Sequence, residues 1–295
     1  MSLSSPLSPL AAAPGAVHRA RRAASMVVGN PWIERLARFG TIVRGIVYFV
    51  PGVLALRLAL GTHGSATTQT GAIEMIGHQP FGRALLGAVA VGLAGYSLWG
   101  VIRVLLDPLH KGHSPRGLAK RFGFATSALA YASLFVATLR YLLGAMGHMA
   151  KPYDWTAGLL ARPFGAWLVG IVGVCWIAGA GIGEIAKGWR GSFAEDLDLE
   201  LRSRTERRWA MRLGRVGIVA RGVVFAVIGI LMVGIATHSN PDHAYGMDRA
   251  LLTLARQPFG RFLLAAAGLG LVTFGVYSAM CARWMRMRFA GPAPV

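Results

Sequence analysis

The pentapeptide "QPFGR" stands at residues 79–83 and again, letter for letter, at 257–261, with the altered copy "RPFGA" at 162–166. A string that recurs at three places in one chain signals a repeated unit, and its period decides the architecture before any residue is given a role. Upstream of each copy lies a related segment: "LARFGTIVRGIVYF" at 36–49, "LAKRFGFATSALAY" at 118–131 and "LGRVGIVARGVVF" at 213–225. Their aligned glycines, Gly40, Gly123 and Gly217, precede Pro80, Pro163 and Pro258 by 40, 40 and 41 residues. Spacing this even describes one unit copied three times.

The solvent of that unit follows from composition. The 295-residue chain is 54% hydrophobic and 15% charged, with a mean hydropathy of +0.50, whereas an ordinary soluble domain carries about 25% charged residues. Six apolar stretches, at 40–60, 82–104, 122–144, 164–185, 214–237 and 260–283, are each long enough to cross a hydrocarbon core of about 30 Å. The expected fold is therefore all-α: a polytopic membrane bundle of six transmembrane helices arranged as three parallel two-helix repeats, 34–107, 118–189 and 213–284. Because each unit contains an even number of spans, all three enter from the same side, and a pseudo-threefold axis along the membrane normal is allowed. Residues 1–33 read as a disordered cytoplasmic tail, 190–212 as a cytoplasmic amphipathic helical loop and 285–295 as a second cytoplasmic tail.

A formal charge of +19 would suggest nucleic acid in a soluble protein, but the basic residues sort by side. Outside the spans, the first tail, the 106–121 loop, the 186–213 loop and the last tail hold five, four, seven and two Lys or Arg; the other loops hold Lys151, Arg162, Arg249 and Arg256. The positive-inside rule then places both termini in the cytoplasm of an inner (plasma) membrane and absorbs the charge, leaving membrane lipids with anionic headgroups as the expected partner and no role for nucleic acid. Small residues at helical spacing, Ala84, Ala88 and Gly92 or Gly179 and Gly183, read as close helix contacts within the bundle, with a homo-oligomer seam as the alternative; a membrane-protein partner is the further possibility.

Within each unit "PFG" opens the second helix. Proline suits a first helical turn, Phe81, Phe164 and Phe259 suit the interface, and Arg83 and Arg261 lean toward headgroups. These features, with "ARFGTIVRGIVYF", its echo "GRVGIVARGVVF", and "QPFGR" leading into "LLGAVAVGLAGYSLW", resemble the family of domain of unknown function 1206, built of a two-helix unit usually present three times. The resemblance runs over about 36–284 and is weakest in the middle unit, where Ser127 and Ala128 replace Arg-Gly and Ala166 replaces Arg. It implies a bacterial integral membrane protein and carries no activity, cofactor or site residue.

Charge inside a span is the default candidate for function. Arg44 and Arg221 occupy equivalent positions, each four residues after the unit's glycine; they suit either snorkelling or a basic pocket for a lipid phosphate or other anion. Arg57 and Arg140 also align, but their helices run outward, so their side chains lean back toward the midplane and point to a polar cavity or to contacts with loop carbonyls or lipid phosphate. Glu184 falls at a cytoplasmic helix end, and the middle thirds of the spans hold no Asp, Glu, His or Lys. That argues against a proton-coupled transporter and leaves a passive channel or permease, lined by hydroxyls such as Ser97, Thr126, Ser133 and Thr273, as the alternative to a lipid-binding protein. His63, His148 and His238 follow the odd-numbered spans at unequal offsets, which does not suit a threefold metal site. Cys175 and Cys281 sit at different depths and do not suggest a disulfide. No nucleophile and base pair, metal spacing or phosphate loop appears, so neither an enzyme nor a cofactor is expected. Ser192 with Glu195 forms a capping-box pattern for a helix in the 190–212 loop.

Overall fold

Helix follows helix along the chain. The computed structural model describes residues 30–62, 67–105, 115–145, 158–160, 162–199, 202–238 and 247–285, with no strand among them. The elements are α1 (Pro31–Ala59), α2 (Gln69–Gly77), α3 (Gly82–Leu105), α4 (Pro115–Leu142), α5 (Gly165–Arg190), α6 (Arg204–His238), α7 (Met247–Ala255) and α8 (Gly260–Trp284). All but the short α2 and α7 are long and apolar enough to span a bilayer. Residues 1–29 and 286–295 of the expected tails lie outside the described residues, while Pro31–Ile33 already belong to α1, whose first turn is capped by the Asn30 side chain accepting from the Trp32 N–H.

The repeated pentapeptide is a turn rather than a first helical turn. Proline precedes the helix by two residues in each unit, and Phe81, Phe164 and Phe259 adopt φ of +62°, +64° and +60°. Proline second, a positive φ third and a Gly82 N–H bonded to the Gln79 carbonyl at 2.8 Å make the type II pattern. A phenylalanine in that left-handed region costs about 1–2 kcal/mol. Glycine comes next because the new helix begins against the end of the preceding segment: a Cβ on Gly82, Gly165 or Gly260 would run into the carbonyl of Gly77, Leu159 or Ala255. The three phenyl rings project outward, 79–87% exposed.

Between spans in lipid there is no hydrophobic drive, so close packing of small residues must join them. The second helix of each unit packs on the first helix of the next: α3 on α4, α5 on α6, and α8 back on α1. Glycines make these approaches possible. A methyl group on Gly52 of α1 would come within 2.7 Å of the Val272 nitrogen, and one on Gly275 of α8 within 2.8 Å of the Gly45 carbonyl. Within units, α1 packs on α3 and α6 on α8, but no comparable interface joins α4 to α5 among the described residues. The six spans thus form an arc, a three-unit ring open at the seam inside its middle unit.

The 190–212 segment is not a separate amphipathic helix. Ser192–Asp196 is a single 3-10 turn without a side-chain cap, and the chain from Arg204 onward belongs to α6. Apolar residues that would have faced a membrane surface are instead used inside: Phe193 packs edge-on against Tyr277, Leu197 and Leu199 are buried, and the Asp198 N–H donates to the Trp284 carbonyl at 2.7 Å. The capping box lies eleven residues later. The Glu206 N–H donates to Ser203 Oγ at 3.2 Å and the Ser203 N–H to Glu206 Oε2 at 3.4 Å, which starts α6.

Candidate functional site

The interior of the arc is lined by aromatic rings and two guanidinium groups. Each first helix of a unit contributes residues four and eight positions after its glycine: Arg44 and Tyr48 from α1, Ser127 and Tyr131 from α4, Arg221 and Phe225 from α6. Helical spacing puts these on one face. Each second helix offers the residue fourteen positions after its opening glycine, Tyr96 on α3, Gly179 on α5 and Phe274 on α8.

Arg44 points into this interior. Its Nε donates to Ser278 Oγ at 2.7 Å, a second nitrogen donates to the Tyr96 hydroxyl, and the guanidinium lies 4.8 Å from the Tyr96 ring centre. Ser278 is itself held by its hydroxyl donating to the Thr41 carbonyl at 3.0 Å. Ring packing continues the wall: Tyr96 meets Tyr131 at 4.4 Å between centroids and Tyr48 meets Phe274 at 4.9 Å.

Arg221 is placed differently. It stacks among Tyr48, Phe225 and Phe274 at 5.4, 4.9 and 4.7 Å, and meets the Glu184 carboxylate of α5 at 3.7 Å, with 17% of its side chain exposed. Its Nε and the indole Nε1 of Trp176, a ring 5.6 Å from Phe225, are buried without a hydrogen-bond acceptor. Both arginines share the Phe274 ring, Arg44 standing 5.4 Å from its centre. Two cations therefore face one carboxylate, and Glu184 also meets Lys187 at 3.7 Å. Such an excess of partly buried positive charge is costly in a membrane unless an anion offsets it.

The remaining arginines are elsewhere. Arg57 and Arg140 are exposed in the last turns of α1 and α4, so the structure does not gather them into an enclosed cavity. Arg83 and Arg261 are exposed one residue into α3 and α8. Hydroxyls considered for a pore are already satisfied: Thr126, Ser133 and Thr273 donate to carbonyls of their own helices, and Ser97 to the Ala128 carbonyl at 2.9 Å. Among the described residues no three His, Cys, Asp or Glu side chains come together as a metal site. His63 and His148 lie outside the described residues, and nothing of the His238 side chain is described.

Two features of this site escape a reading of spacing alone. Glu184 looks like a helix-end residue until α5 is packed on α6, although a buried arginine's need for a partner singles it out as the one carboxylate of the six long apolar stretches. The other is the run "IAGAGIG" at 177–183, a π-helical segment inside α5. It departs from the usual register next to Glu184, as such segments often do near functional residues.

These observations define a class: a multi-pass α-helical membrane protein of three repeated two-helix units around a cationic, aromatic interior. The chain belongs to the family described as Domain of Unknown Function (DUF1206), whose model matches residues 39–107, 122–191 and 216–285. It is similar to the uncharacterized protein YxxB of Bacillus subtilis (strain 168), with 36% identity over 251 residues, 85% of this chain and 90% of that protein. No solved structure matches it.

Proposed function

We propose that the protein is a non-catalytic constituent of the plasma (inner) membrane that binds the anionic headgroup of a lipid through Arg44 and Arg221, with both termini on the cytoplasmic side. The observation that carries this reading is the pair of inward guanidinium groups opposed by a single carboxylate. Arginine's planar fork suits a phosphate, and the basic loops suit an anionic leaflet. Arg83 and Arg261 serve as anchors at the opposite interface.

The reading is tested by native mass spectrometry of the full chain, purified with phosphatidylglycerol present. One retained anionic lipid is expected, lost in an Arg44→Gln, Arg221→Gln variant that still unfolds cooperatively, and kept in an Arg83→Gln, Arg261→Gln variant. Retention by the first variant, or no lipid on the unaltered protein, would overturn it.

A further inference from the structure

The open seam between α4 and α5 coincides with the unit in which the interior wall is missing its side chains. At the level of the arginines, units one and three present Arg44, Tyr96, Arg221 and Phe274, whereas the middle unit presents Ser127 and Gly179. A Cβ on Gly123 or on Gly179 would meet nothing within 4 Å, although the counterparts of Gly123 in the other units, Gly40 and Gly217, abut the backbone of their partner helices. Next to the seam, on or against α5, lie two of the five buried donors without an acceptor among the described residues, Arg221 Nε and Trp176 Nε1; the others, on Arg103, Arg202 and Trp284, lie away from it. Outside it, both helices show apolar surface: Leu129 and Val136 on α4, Val172 and Ile182 on α5 are exposed.

We propose that this seam is the lateral entrance to the arginine site, taken by a single membrane amphiphile whose phosphate-type headgroup reaches Arg221 and Trp176 while its acyl chain lies between α4 and α5. The proposal rests on the anion-binding reading above and adds the route and the ligand's second half. Charge complementarity selects the occupant: a second protein copy would bring an apolar face to a cationic pocket, and a small free anion would leave the apolar cleft unfilled. Helix ends do not limit access, because the ring is open along its side.

The test uses the full chain in phosphatidylcholine nanodiscs containing phosphatidylglycerol with a photoreactive group in its acyl chain, followed by mapping of the adducts. Labelling is expected to concentrate at 126–133 and 175–183 and to fall about ten-fold, roughly the loss of one good contact, in a Gly123→Trp, Gly179→Trp variant. That variant should fold, since both positions face open space, and an unchanged unfolding temperature checks this. Equal labelling of the outer face of α1 around Ile42 and Ile46 would overturn the entrance. So would lipid retention by the folded double-tryptophan variant, which would nevertheless leave the arginine site standing. Retention by the Arg44→Gln, Arg221→Gln variant strikes instead at the anion-binding reading. Displacement of the label by inorganic phosphate alone would make the ligand a free anion, and a particle of two copies with the seam protected would make it a second chain; either result refutes the proposal.

Discussion

Units one and three close where unit two stays open, although all three carry the glycine that makes closure possible. Gly40 brings α1 against the backbone of Gly92 and Tyr96 in α3, and Gly217 brings α6 against Phe274 in α8, while Gly123 of α4 faces empty space. The motif is thus necessary for a close helix pair but does not produce one. What differs is the competing contact. In the middle unit α5 commits its glycines to α6, with Gly181 against Ala226 and Gly222 of α6 against Ile185, and its Glu184 to Arg221. Helix α4 is held to α3 by Gly100 against Ala128 and by the Tyr96–Tyr131 contact. Each helix is drawn to its outer neighbour, and the pair parts.

Adding a methyl group at the three aligned glycines separates the closed units from the open one. Gly40→Ala or Gly217→Ala should lower stability by about 3 kcal/mol, because the added methyl meets backbone that moves only if the helices separate. Gly123→Ala should be neutral or raise stability by up to about 1 kcal/mol through helix propensity. Unfolding of the bilayer-embedded protein measures both, and equal losses at the three sites would show the middle unit to be closed.

A second expectation concerns the middle unit's own charge. Val101 and Ala279 occupy the positions equivalent to Glu184, so only this unit supplies a partner for Arg221. Glu184→Ala should cost about 1–3 kcal/mol by leaving a partly buried cation less compensated. Pairing it with Arg221→Leu should recover part of that loss, and a double-mutant cycle that gave strict additivity would remove the pair from the account.

The linker between units two and three sets two serines against each other. Ser203→Ala should cost about 1 kcal/mol by removing the α6 cap, whereas Ser192→Ala should stay within about 0.5 kcal/mol. A thermal-shift comparison of the two variants distinguishes them. The same "S-x-x-E" pattern occurs at both places; only the second opens an α-helix, because Phe193, Leu197 and Leu199 are drawn into the core and hold the first copy to a single 3-10 turn.

Legibility in the sequence varied with the range of the interaction. The spans and the units follow from local hydropathy and from recurrence, so α1, α3, α4, α5, α6 and α8 stand where the apolar stretches do. The letters of "QPFGR" place the turn but not its form: proline's preference for a first helical turn points to a helix start, whereas Phe81, Phe164 and Phe259 take positive φ where the next glycine stacks on the preceding carbonyl. Arg44 and Arg221 were visible as charges in apolar runs, yet their inward direction depended on Ser278 and Tyr96 in one case and on Glu184 in the other, residues 234, 52 and 37 positions away.

Sequence alone determined the solvent, the number of spans and the threefold repetition, because a bilayer demands about 20 apolar residues per crossing and duplication leaves its period in the letters. Tertiary structure alone decided which helices pair, that the ring is open at one seam, and that two arginines turn inward there, one of them against a carboxylate. Those outcomes depend on competition among several close-packed partners for the same glycine faces, and no single stretch of the chain contains the winner.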